Sequence, residues 1–183
     1  MTRYTLLAAA LLAMPFAAQA GDTTLAAGSD YRFVTRMPTG LGPGLALDYV
    51  KSDNKDKLGD KPSFGAAGIM IGLPVPTLLR VDVGGKLVYL EANGPATAAM
   101  AGGRLTVDLP MNAEAFVHGF YAGAGASSGT VKEVIDTMAG VRWSPLKMVG
   151  IEAGYRTVEV KREDGRRNIK LADGAYAGVS VAF

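Results

Sequence analysis

Apolar and polar positions alternate with a period of two along most of the chain, in segments of about ten residues, the length a tilted strand needs to cross a bilayer. The last segment is the cleanest. Ala175, Ala177, Val179, Val181 and Phe183 form one face, and Gly174, Tyr176, Gly178 and Ser180 form the other. In the middle of the chain, Leu79, Val81, Val83, Leu87 and Tyr89 alternate with Arg80, Asp82, Gly84 and Lys86. The same reading predicts eight strands, near Gly44 to Lys51, Ser63 to Leu73, Leu79 to Tyr89, Ala98 to Leu109, Ala113 to Gly123, Lys132 to Trp143, Val149 to Lys161 and Gly174 to Phe183. Their connections fall into two classes. LPVPT, LPMN and WSPLKM are short and marked by proline, whereas the intervening ones are longer, looser and partly charged. Short turns on one rim and longer loops on the other predict an all-β fold, an eight-stranded antiparallel transmembrane β-barrel with short periplasmic turns and longer external loops.

The barrel is expected over residues 44–183. Residues 21–43 are held apart as a periplasmic segment with at most one short strand around Tyr31 to Arg36, because Pro38, Gly40, Gly42, Pro43 and Gly44 interrupt the alternation beyond it. Residues 1–20 read as a signal peptide: Arg3 supplies the positive start, Leu6 to Phe16 the apolar stretch, and Ala18-Gln19-Ala20 the cleavage site. Export with cleavage near Ala20, and residence in the outer membrane of a Gram-negative envelope, are the expectations. A soluble sandwich or lipocalin-like barrel would also alternate, with its charges outside. Glycine and alanine on both faces favour the membrane, and so do Tyr49, Tyr89, Tyr121, Trp143, Tyr155 and Phe183 near strand ends, where an interfacial girdle belongs.

The composition narrows the chemistry. Of 183 residues 49% are hydrophobic, yet no later stretch nears the roughly 18 uninterrupted apolar residues of a spanning helix. There is no cysteine, which excludes a disulfide framework, thiol catalysis and thiolate metal sites. A formal net charge of +2 lacks the one-sided basic surface of a nucleic-acid binder, so no nucleic-acid partner is expected.

With the apolar faces turned to lipid, Asp48, Arg80, Asp82, Lys86, Arg104, Asp108, Glu114, His118, Asp136, Arg142, Glu152 and Arg156 point into the lumen. In a narrow barrel they must pair, because an unpaired buried charge is very costly. A side-chain-filled polar lumen with a structural or interaction role is the expectation, a small porin or gated channel the alternative. A lipid-modifying hydrolase would need His118, the single histidine, to meet Ser127 or Ser128, and no nucleophile-elbow motif supports that. Gly123 to Ser127, GAGAS, lacks the lysine and helix of a phosphate loop. No catalytic residue, metal site or cofactor is expected. In the loop Lys161 to Lys170, Arg162, Arg166 and Arg167 are candidates for lipopolysaccharide phosphates, set against a plain Asp164-Gly165 turn. The expected partners are the bilayer, lipopolysaccharide, and the barrel-assembly machinery through the C-terminal strand, with a monomer favoured.

The segments GVRW (Gly140 to Trp143), EAGYR (Glu152 to Arg156), the DGxY of Asp173 to Tyr176, and VGGKLVYLE (Val83 to Glu91) resemble the YfaZ family of small bacterial outer-membrane proteins. The resemblance covers roughly Leu45 to Phe183 and is weaker in residues 21–43 and around FVHGFYAGAG. It implies an outer-membrane barrel and brings no catalytic residues with it.

Overall fold

A computed structural model describes residues 20–54, 59, 61–75, 78–92, 94–146, 148–163 and 168–183; of the expected signal peptide, only Ala20 is among them. The described residues form ten strands: β1 (Gly21–Gly28), β2 (Tyr31–Pro38), β3 (Gly42–Ser52), β4 (Ser63–Leu73), β5 (Leu79–Glu91), β6 (Pro95–Leu109), β7 (Ala113–Ala122), β8 (Val131–Leu146), β9 (Val149–Arg162) and β10 (Ile169–Ala182). Each pairs antiparallel with its neighbour in sequence, and β10 returns to β1, so the sheet closes on itself. One 3-10 turn, Ala124–Ala126, is the helical element among the described residues.

The expected count of eight is therefore corrected to ten. The two added strands come from residues 21–38, which join the barrel instead of standing apart in the periplasm. Their alternation is present but short: Asp22, Thr24 and Ala26 are opposed to Thr23, Leu25 and Ala27, and Tyr31, Phe33, Thr35 and Met37 to Arg32, Val34 and Arg36. Pro38 ends β2 because it has no N–H for the ladder. Gly42, at φ +87°, reverses the chain where a side chain would be strained. The prolines and glycines read as a break are thus one more short turn. It lies on the same rim as the turns after Leu73, Leu109 and Leu146 and as the chain ends of the sheet, where Gly21 and Phe183 exchange backbone hydrogen bonds of 2.9 and 3.0 Å. The longest connections, residues 53–62, 123–130 and 163–168, lie on the opposite rim, but so do the short ones at 29–30 and 92–94, so the expected division into short and long rims holds in part.

β1 and β2 are only 8 residues each, and β10 continues past Gly28, its residues before Tyr176 having no partner on β1. Beyond the β1–β2 turn β10 approaches β3, whose last residue Ser52 pairs with Tyr31. Tyr31 ties the gap shut by donating its hydroxyl to the Gly174 carbonyl at 2.7 Å. A bulge at Leu171 turns that side chain into the core beside Ala172.

The lumen is stratified. Followed from turn rim to loop rim, the inward positions of β5 run Arg80, Asp82, Gly84, Lys86, Val88, Leu90, and those of β9 run Glu152, Gly154, Arg156, Val158, Val160. On the other strands the charges likewise lie turn-side of the last apolar positions, with Ala46, Phe116 and Met138 interleaved among them. A charged layer thus fills the turn-side half. The loop-side half holds an apolar plug of Tyr31, Val50, Phe64, Leu90, Val134, Val160, Leu171 and neighbours. The expectation of a polar lumen holds for one half only. Ten strands enclose a wider bore than eight, and arginines and aromatics fill it where glycines leave room: a Cβ at Gly140 or Gly154 would lie 2.9 Å from the Tyr176 hydroxyl.

Closure at the β1–β10 seam is directly testable. Because Gly21 and Phe183 form a hydrogen-bonded pair, Leu25 and Val179, in the same register, share that pair type, with Cα atoms roughly 5.5 Å apart and within disulfide reach. The variant L25C/V179C is expected to form a disulfide on mild oxidation. L45C/V179C, which links β10 to the strand that an eight-stranded closure would place beside it, is expected to stay reduced, since β1 and β2 lie between and hold those positions more than roughly 14 Å apart. Non-reducing electrophoresis reads both outcomes.

Candidate functional site

The charges of the lumen form two clusters. In the first, Arg156 on β9 lies between two aspartates. It donates from Nε and Nη2 to Asp136 on β8 at 3.1 and 3.0 Å, and from Nη1 and Nη2 to Asp48 on β3 at 3.1 and 2.6 Å. Strand β3 is not a neighbour of β8 or β9 in the barrel, so the guanidinium fork bridges the bore. Lys86 reaches Asp48 from β5 at 3.5 Å. The cations also rest on rings: Arg156 lies 4.8 Å from the centroid of Phe33, and Lys86 3.9 Å from that of Phe120. All four ionised side chains are fully buried, where pairing and ring contact offset a desolvation cost of several kcal/mol per ion.

The second cluster lies nearer the turn rim and is centred on Arg142 of β8. Its Nε and Nη2 donate to Glu152 at 3.0 and 2.7 Å, Nη2 donates to Thr24 at 3.2 Å, and Nη1 donates to Asp22. Glu114 is charge-paired with Arg142 at 2.9 Å, without hydrogen-bond alignment at its Oε1. Glu152 also accepts from Thr24 at 3.1 Å and from Tyr176 at 2.8 Å. Arg104 approaches Asp22 at 3.6 Å and Glu114 at 3.8 Å and stacks 4.6 Å from Phe116. At the mouth, Arg80 donates to Glu114 at 2.6 Å and Asp108 at 3.2 Å. Asp82 faces Arg104 across the β5–β6 ladder.

The structure thus places every ionisable residue expected inside on the inward face of its strand, with Asp108 and Arg80 part-exposed at the turn-side mouth. It also adds members that the sequence reading left out. Asp22 and Thr24 came from the segment held apart, and their signal was the alternation in DTTLAA. Tyr176 was read as merely amphipathic, although it is the inward aromatic of β10.

His118 is 1% exposed, lies 3.5 Å from Asp136 and edge-on to Phe120, and neither ring nitrogen has a hydrogen-bond partner. Ser127 donates to the Gly123 carbonyl and Ser128 bonds Thr97, in the loop between β7 and β8. The serine–histidine arrangement that hydrolysis would need is therefore not assembled. Arg162 donates to the Ala92 carbonyl at 3.3 Å and to Thr130 at 2.6 Å, tying loops together over the plug. Arg166 and Arg167 lie outside the described residues.

Outside, the girdle residues face away from the lumen. Tyr49, Tyr89 and Tyr121 lie towards the loop ends of β3, β5 and β7; Tyr49 and Tyr89 flank Gly65 in one row. Tyr155 sits mid-strand and donates to Asp173 at 2.8 Å, and Trp143 and Phe183 mark the turn rim. Between these rims the outward positions are apolar, small or threonine, including exposed Ile69, Leu87, Val117, Val141, Ile151 and Val179. The outward charges are Arg36 at the turn rim and Arg32, Lys51, Glu91, Glu133, Glu159, Lys161, Lys170 and Asp173 towards the loop rim; Asp173 lies opposite Thr157, two positions inside Glu159, where it pairs with Lys170 and accepts from Tyr155.

The family model described as YfaZ precursor matches residues 1–183, including the β1–β2 hairpin where the sequence resemblance was weaker. Among curated proteins, the chain is 35% identical over 163 residues to the Outer membrane protein YfaZ of Escherichia coli (strain K12), covering 86% of this chain and 85% of that protein. No solved structure matches.

The bridge at Arg156 gives a stability prediction. R156Q strands two buried aspartates and is expected to destabilise the refolded barrel by about 3–5 kcal/mol. The quadruple variant D48N/K86M/D136N/R156M, which removes all four charges together, is expected to regain most of that loss. Urea unfolding in detergent micelles or lipid vesicles measures both.

Proposed function

The chain belongs to the YfaZ family, and on that footing we propose that it is an outer-membrane β-barrel without a through-path, acting through its surface and loops. The observation that carries this reading is the separation of chemistry across the sheet. The band outside is apolar from the turn rim up to Asp173, which is paired with Lys170 and bonded by Tyr155, while Asp48, Asp136, Glu152, Arg142 and Arg156 are buried within. A water-soluble barrel has the opposite sign, with charges outside and an apolar core. Hydrocarbon around the band would leave the Leu, Ile and Val side chains in their preferred medium, and the closed ladder would leave no backbone group unsatisfied.

The filled lumen supports a structural or interaction role over transport. An ion entering at the turn rim would meet paired charges first and then the plug of Phe64, Leu90, Val134 and Val160, which offers nothing to replace its hydration. Arg162 adds a strap from β9 to Ala92 and Thr130 above that plug. An enzymatic role finds no assembled nucleophile and base, since His118 is enclosed and unbonded. Lipopolysaccharide, whose acyl chains and phosphates match the belt and its charged border, is the partner this surface suits.

In planar bilayers the purified protein is expected to insert without stable conductance steps. Reproducible unitary currents above the bare-membrane baseline would replace this reading with that of a small channel.

A further inference from the structure

We propose that the turn rim is a lipid-contact surface, on which Leu41, Leu78, Met111, Leu146 and Met148 enter the acyl–headgroup boundary of the phospholipid leaflet facing the periplasm, an inference that rests on the membrane-spanning reading above. The first observation is where the most exposed apolar side chains lie. Met111 is 85% exposed and Leu41 77%, above every other large apolar residue among those described. Leu78, Leu146 and Met148 stand at 66, 65 and 59%, in the range of Leu87 and Ile69 of the belt. Together they mark all four turns of this rim. Turns that face water are polar as a rule, and clustered exposed apolar side chains mark a contact. In the sequence the turns at 39–41, 74–78, 110–112 and 147–148 hold a single charged residue, Lys147, whereas the opposite connections at 53–62 and 163–168 are dense in both signs. Met111 also occupies φ +65°, a left-handed position that favours asparagine or glycine, so a strained backbone presents the most exposed of these side chains.

The second observation is that the turns are fixed in the sheet. The Thr39 N–H donates to the Ala20 carbonyl at 3.1 Å, that of Asp108 to Leu78 at 2.8 Å, that of Ser144 to Asn112 at 2.9 Å and that of Ala182 to Met148 at 2.9 Å, so each turn is laced to the next element around the rim. The third is continuity with the belt. Leu146 pairs with Val149, from which Ile151 and Ala153 continue up the outer face of β9, and Leu73 and Leu109 lead into the other turns in the same way. Arg36, the outward cation nearest this rim among the described residues, is buried, with its guanidinium 4.7 Å from the centroid of the Phe183 ring. Height favours lipid over water as the occupant. The apolar band of such a barrel is about 25 Å tall, and the Asp173–Lys170 pair caps it on β10. From Asp173 down to Val181 the strand supplies about 20 Å at a tilt of about 40°. The band therefore reaches its height by taking in the turn beside Ala182, where Met148 lies. A band that ended above the turns would draw Asp173 and Lys170 into hydrocarbon, where charge is costly.

The chain has no cysteine, so single-cysteine labels report depth without background. L41C, L78C, M111C and M148C, each carrying a polarity-sensitive NBD fluorophore, are refolded as mature protein into phosphatidylcholine–phosphatidylglycerol vesicles with iodide on both sides. The lipid chains are brominated near the carbonyl end in one set and near the methyl end in another. L87C, in the belt, and A126C, in the 3-10 turn, are the controls. The four turn labels are expected to be quenched more by carbonyl-end bromines than by iodide, L87C by bromines at both depths, and A126C by iodide alone. Turn labels that behave like A126C overturn the inference and leave the rim an aqueous face, open to a periplasmic protein. L87C quenched by iodide alone overturns the membrane reading itself, and this inference with it. A label-free check is L41S/L78S/M111N/M148S, whose folding is read by heat-modifiable electrophoretic mobility. Its urea midpoint in vesicles is expected to fall by about 1 M or more. M111N relieves the strained φ, so a midpoint that stays or rises overturns the inference.

Discussion

A sheet placed in hydrocarbon has no water to satisfy its edges, so the pairing of β10 with β1 is the constraint on which the other features depend. Gly21 and Phe183 complete that ladder at the turn rim, and Tyr31 and Gly174 hold β10 against the hairpin where the short strands give out. Once the cylinder is closed, strand alternation leaves no intermediate choice. Each side chain goes either to the outside or to the bore, and a slip of one residue would exchange the two sets on that strand. The apolar belt and the ion clusters are consequences of one register.

The bore adds a second constraint. Charges taken out of water must find partners within a fixed cross-section, and the partners here come from distant strands: β3, β8 and β9 at Arg156, and β1, β7, β8 and β9 at Arg142. Such cross-bore pairs specify which strands face one another, a role for buried ion pairs that does not require them to be net stabilising. The apolar plug on the loop side contributes differently. Val50, Phe64, Leu90, Val134 and Val160 gain by excluding water and need no angular precision. A specified half and a greasy half share one lumen.

Much of this was legible in the chain. From Gly44 onward the period-two pattern located every strand to within a few residues, and the sides of Arg80, Asp82, Arg104, Asp136 and Arg156 followed from parity alone. What failed was the hairpin. β1 and β2 are short, Asp22 and Thr24 look like loop residues, and Pro38 with Gly40 and Gly42 reads as a break when the next strand is not yet placed in space. A turn and a boundary have the same local chemistry. The plug was also hidden, because an inward valine and an outward valine are the same letter until the closed sheet assigns them. The partner of Arg142 could not be named from spacing, since Asp22 lies 120 positions away. Contacts across the bore are set by closure and carry no local signature.

The central claim is that the outer face meets acyl chains, and the protein carries its own reporter for it. Trp143 is the single tryptophan, 48% exposed on the outward face of β8 near the turn rim. In vesicles of lipids brominated at a series of depths along the chain, its fluorescence is expected to be strongly quenched, most by bromines near the carbonyl end, and to be little affected by aqueous iodide. Strong iodide quenching with no response to brominated chains would contradict the account, because the belt would then be facing water.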